Sequence, residues 1–580
     1  MGALDGARDE WNAMCAACHN TRLRKNYEPA TDSYQTAMAE RSVGCESCHG
    51  PMKAHADWQA QYPGRKGDPS VKKQTPDQIL DTCAGCHSRR SELTGDFCPT
   101  DNFFDHYAPA VVDETDLYYA DGQVRDEVYV YSSFRSSRMF HAGVRCLDCH
   151  DPHSNKPILP GNQLCMRCHT AGGYPNSPPI DPAAHTFHLP ESAGSQCVNC
   201  HMPHTTYMGR HPRRDHGFTI PDPLLTKELG IPNACNRCHQ DQDADWALAA
   251  VEKWYGDRME RRTRERARWI ADAREGKPSA KPNMVKMLEG VEGDAAYWRA
   301  SAAALLERWV HEPDVVEVLA RFLGDADPLV RAQAALSLAP AVEAGRAPEA
   351  AAKLRALLDD PIRMVRVNAA WALRESVSLS SAAAKDLRRY LDHNTDQPTG
   401  ALQLGVFLLA RNQVPEAIAF IGKAVEWDPL SAPLRHEYAV ALSMMGRIPE
   451  AVTQLEKAVE LAPEEAEFQF KLSLAYNEMR NLPKVIEALR KTVEIDPNHS
   501  RAWYNLGLAL NQIGDPEGAI NALAKAESTN PEDPGPPYAA ATIHFRLGNI
   551  GEARAAAQRA VTIAPDFEEA RQLLFQLSVE

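Results

Sequence analysis

Seven Cys-x-x-Cys-His motifs fall within the first 240 residues, beginning at Cys15, Cys45, Cys83, Cys146, Cys165, Cys197 and Cys235. They use 14 of the 15 cysteines in the chain. This pattern is that of c-type haem attachment: two thiols form thioethers with the porphyrin vinyl groups, and the adjacent histidine ligates the iron. A disulfide framework needs no histidine after every second cysteine. Zinc sites use paired Cys-x-x-Cys without an invariant trailing histidine. A thioredoxin-type motif is normally single and set in a βαβ unit. Seven attachment sites are therefore expected: Cys15, Cys18 and His19; Cys45, Cys48 and His49; Cys83, Cys86 and His87; Cys146, Cys149 and His150; Cys165, Cys168 and His169; Cys197, Cys200 and His201; Cys235, Cys238 and His239.

So many porphyrins in so short a stretch leave few residues for an ordinary side-chain core. Residues 1–245 are expected to wrap loops and short helices around haem, and to be largely unfolded without it. At 580 residues the chain is long enough for more than one domain. It contains no apolar run of the length needed to cross a membrane. A net charge of −15 argues against nucleic acid and against charge-driven binding to anionic lipid. It is compatible with a basic redox partner.

After residue 245 the composition turns to Ala, Leu and Arg at helical spacing. Residues 246–285 read as a helical connector, and 286–392 as HEAT-like hairpins. In these, Tyr297-Trp-Arg299, Leu329-Val-Arg331 and Met364-Val-Arg366 each precede an Ala-rich helix. Asp327-Pro328 and Asp360-Pro361 open the second and third units. From 393 to 580 the repeat becomes regular. Pro429, Pro463, Pro497, Pro531 and Pro565 lie 34 residues apart, as do the small residues Gly405, Ala439, Ser473, Gly507 and Ala541. This is the tetratricopeptide (TPR) period. It predicts five units closed by a capping helix from Phe567 to Ser578, with Glu568, Glu569 and Arg571 toward solvent. The expected fold is mainly α: a haem-packed cytochrome domain with little regular structure, then an α-solenoid, HEAT-like and then TPR.

A second axial ligand decides what each iron can do. Nine further histidines lie in the haem zone (His55, His106, His141, His153, His185, His188, His204, His211 and His216), whereas only five lie in the helical repeats. This enrichment is what bis-histidine ligation produces, and a second imidazole gives a low-spin iron suited to electron transfer. All nine are distal candidates. Cys146 and Cys165 are 19 residues apart, so their haems are expected to be neighbours. The stretch from Arg89 to Arg145 is the longest between motifs and is rich in aromatics, and Val128-Tyr-Val-Tyr131 alternates like a short strand. His106, Tyr107 and Arg138 in this stretch are the candidates for a catalytic role beside an open haem at His87 or His150. Ordinary packing is the simpler reading of these aromatics.

With these motifs in hand, the chain resembles a bacterial family of multihaem c-type cytochromes fused to TPR repeats. The likeness runs through Trp11-Asn-Ala-Met-Cys-Ala-Ala-Cys-His19, Gly44-Cys-Glu-Ser-Cys-His-Gly-Pro51, Tyr118-Tyr-Ala-Asp-Gly-Gln123, Gly143-Val-Arg-Cys-Leu-Asp-Cys-His-Asp-Pro-His153, Pro212-Arg-Arg-Asp-His216 and Pro232-Asn-Ala-Cys-Asn-Arg-Cys-His239. The haem part is similar to the wider group of multihaem nitrite, hydroxylamine and tetrathionate enzymes and tetrahaem electron carriers. Family members usually carry one further upstream Cys-x-x-Cys-His segment. The resemblance therefore implies a missing signal peptide and one missing haem, eight in the parent protein instead of seven. The pentahaem nitrite reductases place lysine in the proximal position at the active haem, whereas every motif here ends in histidine, which weakens a nitrite-reductase reading.

The function these features imply is electron transport along mostly bis-histidine haem c groups in the periplasm or outside the cell, with the solenoid docking a redox partner protein. The alternative is a multihaem reductase for nitrite, hydroxylamine or a sulfur oxyanion with one open haem. Met1–Glu10 shows neither the basic nor the apolar region of a signal peptide.

Overall fold

The computed structural model describes residues 11–175, 177–290 and 295–579; the N-terminal stretch expected to lack a signal peptide lies outside them. The described residues form two compact units, one ending at Asp396 and the other beginning at Gln397.

In the first unit, the motif-bearing segments fold as single helical turns and short helices. Residues i, i+3 and i+4 share one helical face, so one turn points both thiols and the imidazole the same way; the fourth motif departs from this, with a 3-10 turn over Cys146–Asp148 and His150 opening a two-residue strand. The amides of His19, His49, His169 and His239 each donate to the carbonyl of the first motif cysteine, at 3.2, 3.0, 3.0 and 2.9 Å. The third motif ends a longer helix, Pro76–His87. That helix starts sharply because Thr75 and Gln78 form a reciprocal capping box with Pro76 at the first position. Four two-stranded antiparallel ribbons connect these turns; the longest pairs His204–Tyr207 with His211–Arg214.

Two expectations are corrected here. Residues 128–131 do not form a strand. Tyr129 adopts a left-handed backbone (φ 60°), which ends extension after a single bridge to Ser88, and the helix Tyr131–Ser136 follows. The haem zone also builds a side-chain core of its own. Leu93, Phe103, Phe104, Val112, Tyr118, Val128, Tyr131 and Phe134 are buried, and the Phe103 and Tyr131 rings lie 4.7 Å apart. This core continues into the helical region. Tyr297 Oη donates to the Ala110 carbonyl at 2.6 Å, Trp298 Nε1 donates to the Ser136 carbonyl at 3.2 Å, and Ser301 Oγ accepts from the Val112 amide at 3.0 Å. Backbone groups of Ala110, Val112 and Ser136 thus tie the cytochrome segment to side chains of the helix Ala296–Leu306.

The repeated arginines of the HEAT region form a ladder. Arg299 pairs with Asp325, Arg331 with Asp360 at 2.9 Å and Arg366 with Asp386 at 2.6 Å. Each guanidinium therefore ties its helix to the segment that follows. Asp327 and Asp360 also accept from the Leu329 and Ile362 amides, both at 2.9 Å, which accounts for the Asp-Pro openings.

The second unit consists of five helical hairpins, from Pro398–Ala410 to Ile550–Ile563, and a final helix, Glu568–Val579. The second helices end at Trp427, Leu461, Ile495, Thr529 and Ile563, two residues before each periodic proline. The small residues stand where paired helices approach. A Cβ on Gly405 would lie 2.3 Å from Ile421 Cγ1, and one on Gly507 would lie 2.7 Å from Leu523 Cγ.

Candidate haem sites

Two of the motif histidines are held from behind by backbone carbonyls. His169 Nδ1 donates to the Pro178 carbonyl at 3.0 Å, and His201 Nδ1 donates to the Thr219 carbonyl at 2.8 Å. Two histidines outside the motifs are held the same way: His188 Nδ1 to the Thr186 carbonyl at 2.5 Å and His216 Nδ1 to the Arg214 carbonyl at 2.9 Å. Such a bond fixes the tautomer and leaves Nε2 with its lone pair free for a metal. Burial, with His150 and His87 close by, lowers the His216 pKa to about 4. Burial also lowers His87, His185 and His201. All four are therefore neutral near pH 7, the state a ligand requires.

Four motif histidines face a second histidine. Ring centres are 6.2 Å apart for His49 and His153, 6.3 Å for His150 and His216, 6.1 Å for His185 and His201, and 6.3 Å for His188 and His239. In the first three pairs the planes lie within 14–29° of parallel. A metal–imidazole bond is about 2 Å, and a ring centre lies roughly 1 Å beyond its nitrogen, so one iron between two imidazoles separates their centres by about 6 Å. The four pairs fit that span. They are too far apart to be stacked in contact, and each has one member in a Cys-x-x-Cys-His turn.

The other candidates are placed differently. His55 Nδ1 meets Asp68 Oδ2 at 2.6 Å, which leaves its Nε2 free. His141 Nε2 is turned to the Arg135 carbonyl at 3.0 Å. His204 and His211 stand exposed at the start of each strand of one ribbon. His106 is removed from the distal set: Nδ1 bonds Thr94 Oγ1 at 2.8 Å and Nε2 meets Asp101 at 3.2 Å, so both ring nitrogens are taken.

Of the three catalytic candidates, His106 and Tyr107 lie together against Phe97, their rings 6.4 Å apart, and Arg138 stands on a different element. Tyr107 is buried under the Arg90 guanidinium, 4.3 Å from its ring, and its hydroxyl pKa is driven up by burial. His106 is fixed as above, and Arg138 is exposed on the short helix Arg138–His141, within electrostatic range of Arg261.

Several supporting groups left no mark in the sequence. Asp215 is buried, accepts from the Val124 and Gly217 amides at 2.9 and 2.7 Å, and fixes the chain just before His216. Arg90 places both terminal nitrogens 3.9 Å from Cys18 Sγ. Backbone carbonyls that orient imidazoles carry no residue signature at all. Among the described residues, no three or more His, Cys, Asp or Glu side chains converge as a metal cluster of the zinc type.

Comparisons with known proteins divide along the same lines. The family of cytochrome c554 and c-prime matches residues 3–50, and a doubled CXXCH motif matches 139–173. HEAT repeats match 284–374, and tetratricopeptide repeats match 408–474, 488–521 and 510–577. No curated protein matches the chain. Among solved structures, MamA is similar at 22% identity over 29% of this chain and 91% of its own, with a TM-score of 0.28. YrrB, a TPR protein with an unusual peptide-binding site, is similar at 20% over 32% of this chain and 95% of its own, with a TM-score of 0.29. PilF of Pseudomonas aeruginosa is similar at 21% over 31% and 89%, with a TM-score of 0.27. The chain carries covalently bound haem c on cytochrome segments joined to HEAT and TPR repeats. Among the described residues, no helix is long and apolar enough to cross a membrane.

Proposed function

We propose that this protein is an extracytoplasmic electron carrier with seven haem c groups, most of them bis-histidine, and that its solenoid docks a redox partner protein. The observation that carries the reading is the set of four histidine pairs with ring centres 6.1–6.3 Å apart. Bound haem supplies a one-electron centre, and two imidazoles keep the iron six-coordinate and low-spin.

The chain's own residues supply attachment and orientation. The cysteines of the seven motifs form the thioethers, and His19, His49, His87, His150, His169, His201 and His239 are the proximal ligands. His153, His216, His185 and His188 are the second ligands for the haems of His49, His150, His201 and His239. His55, His141, His204 and His211 are the candidates for the haems of His19, His87 and His169. Haem c is attached outside the cytoplasm, which supports an exported location. The TPR and HEAT repeats are of a kind that presents extended binding surfaces, which supports partner docking there.

The test is the purified oxidised holoprotein. Intact mass should give seven haems, and electron paramagnetic resonance should show low-spin ferric iron in the four paired sites. A protein whose paired sites are high-spin, or whose mass lacks the haems, overturns the reading.

A further inference from the structure

The third motif has one neighbour that chain order does not give it, the first. The Cys18 thiol donates to the Cys86 carbonyl at 3.9 Å and lies beside the Cys86 thiol. The turn Ala16–His19 packs directly on the helix Pro76–His87. One turn earlier on that helix, the Cys83 thiol lies beside that of Cys146. Arg145, just before Cys146, holds Asp77 at the start of the same helix, at 2.9 Å. Cys48 lies within electrostatic range of both Cys83 and Cys86, and its carbonyl accepts from Gln74 Nε2 at 2.9 Å. The third motif therefore meets the first, second and fourth.

Beyond the fourth motif the neighbours run in sequence. Cys149 lies near Cys168, and Arg167 donates to the Asp148 carbonyl at 3.3 Å. Cys165 lies beside Cys197, and Asn162 bridges the same two turns, donating to the Ser195 carbonyl at 2.8 Å and accepting from the Cys197 amide at 2.9 Å. Cys200 lies near Cys235 and Cys238, and the helices Cys197–His201 and Ala234–Cys238 pack together.

A thioether sulfur sits on the vinyl edge of its porphyrin. Sulfurs of two motifs in contact therefore bring two porphyrin edges together. We infer that the haem on Cys83 and Cys86 is a junction: the main file of haems runs from the motif at Cys15 directly to it, then through those at Cys146, Cys165, Cys197 and Cys235, and the haem at Cys45 is a side branch. The inference rests on the electron-carrier reading only in requiring haem at every motif. A Thr21–Ser47 hydroxyl contact at 2.8 Å also ties the first and second turns, so the branch lies close to the first haem without separating it from the third.

The test is the set of iron positions in the holoprotein, from anomalous scattering. The iron of the third motif should be the nearest neighbour of the first, with the second iron to one side. A second iron lying between the first and third overturns the inference. In solution, neighbouring ferric haems broaden each other's resonance. A C83A/C86A variant, checked by mass for loss of one haem, should sharpen the signal of the first haem, whereas C45A/C48A should leave it broadened. The opposite pattern overturns the order. Iron positions are read whatever the spin state, so high-spin iron at the paired sites would overturn the electron-carrier reading and leave the order standing.

Discussion

His185 and His201 face each other with ring centres 6.1 Å apart and planes 16° from parallel. His201 belongs to a Cys-x-x-Cys-His turn and His185 does not. A His185→Gly change should leave the haem attached through Cys197 and Cys200 and turn one haem high-spin. Intact mass should fall only by the side-chain difference, and added imidazole should restore the low-spin resonance.

His153 lies three residues after His150, yet it faces His49 at 6.2 Å. Replacing it with glycine should alter the haem at Cys45 and spare the haem at Cys146, whose His150 faces His216. In a C45A/C48A background the same replacement should produce no further change in the low-spin spectrum.

Glu92 lies 3.3 Å from Arg90 and 3.1 Å from His393. Burial alone would raise its carboxyl, but these partners outweigh burial and hold it at about 2, below the ordinary 4.5. A depressed acid stabilises the fold above its unfolded value, and that stability is lost as pH falls through the folded value. Glu92→Gln should therefore cost on the order of 3 kcal/mol at pH 7, because it leaves Arg90 and His393 without their shared anion. The gap to the parent protein should close between pH 4.5 and about 2. Denaturant titrations of the holoprotein across that range are the check.

Gly507 occupies a helix interior, where alanine normally gains about 1 kcal/mol. Here the added methyl would sit 2.7 Å from Leu523 Cγ, so Gly507→Ala should instead destabilise the TPR unit by about 1–3 kcal/mol. Thermal melting of the isolated 397–580 unit and its variant would show a fall or a rise.

Protein made without haem attachment should lose order mainly in 11–87 and 146–240. Residues 93–134 bury an aromatic core of their own, and the backbone of Ala110 and Val112 is bonded to the helix Ala296–Leu306. Limited proteolysis followed by mass mapping should therefore cut the motif-bearing stretches first and leave the tetratricopeptide repeats intact.

The parts legible in the sequence were those written by repetition. Periodic prolines mark where the second TPR helices end, and Arg299, Arg331 and Arg366 mark the HEAT units, although their aspartate partners were visible only in the fold. His153, His185, His188 and His216 stand out as histidines, but which motif histidine each faces depends on the path of the chain between them. Tyr129 misled the pattern reading because alternation of side chains carries no information about a left-handed backbone. The aromatic core between Leu93 and Phe134 was hidden for a related reason: its burial partners, Tyr297, Trp298 and Ser301, lie far along the chain.

The direction of the histidine pairing has a consequence for how such a chain matures. His49 and His150 take partners that lie downstream, whereas His201 and His239 take partners already made. If the polypeptide emerges N-terminus first, the haem at Cys45 can be stitched on early but waits for His153, and the haem at Cys146 waits for His216. His188 in turn waits for His239. With the pairing proposed above, the early haems would be exposed on one face until the later segments arrive, and during that interval would be open to small ligands that a completed histidine pair excludes.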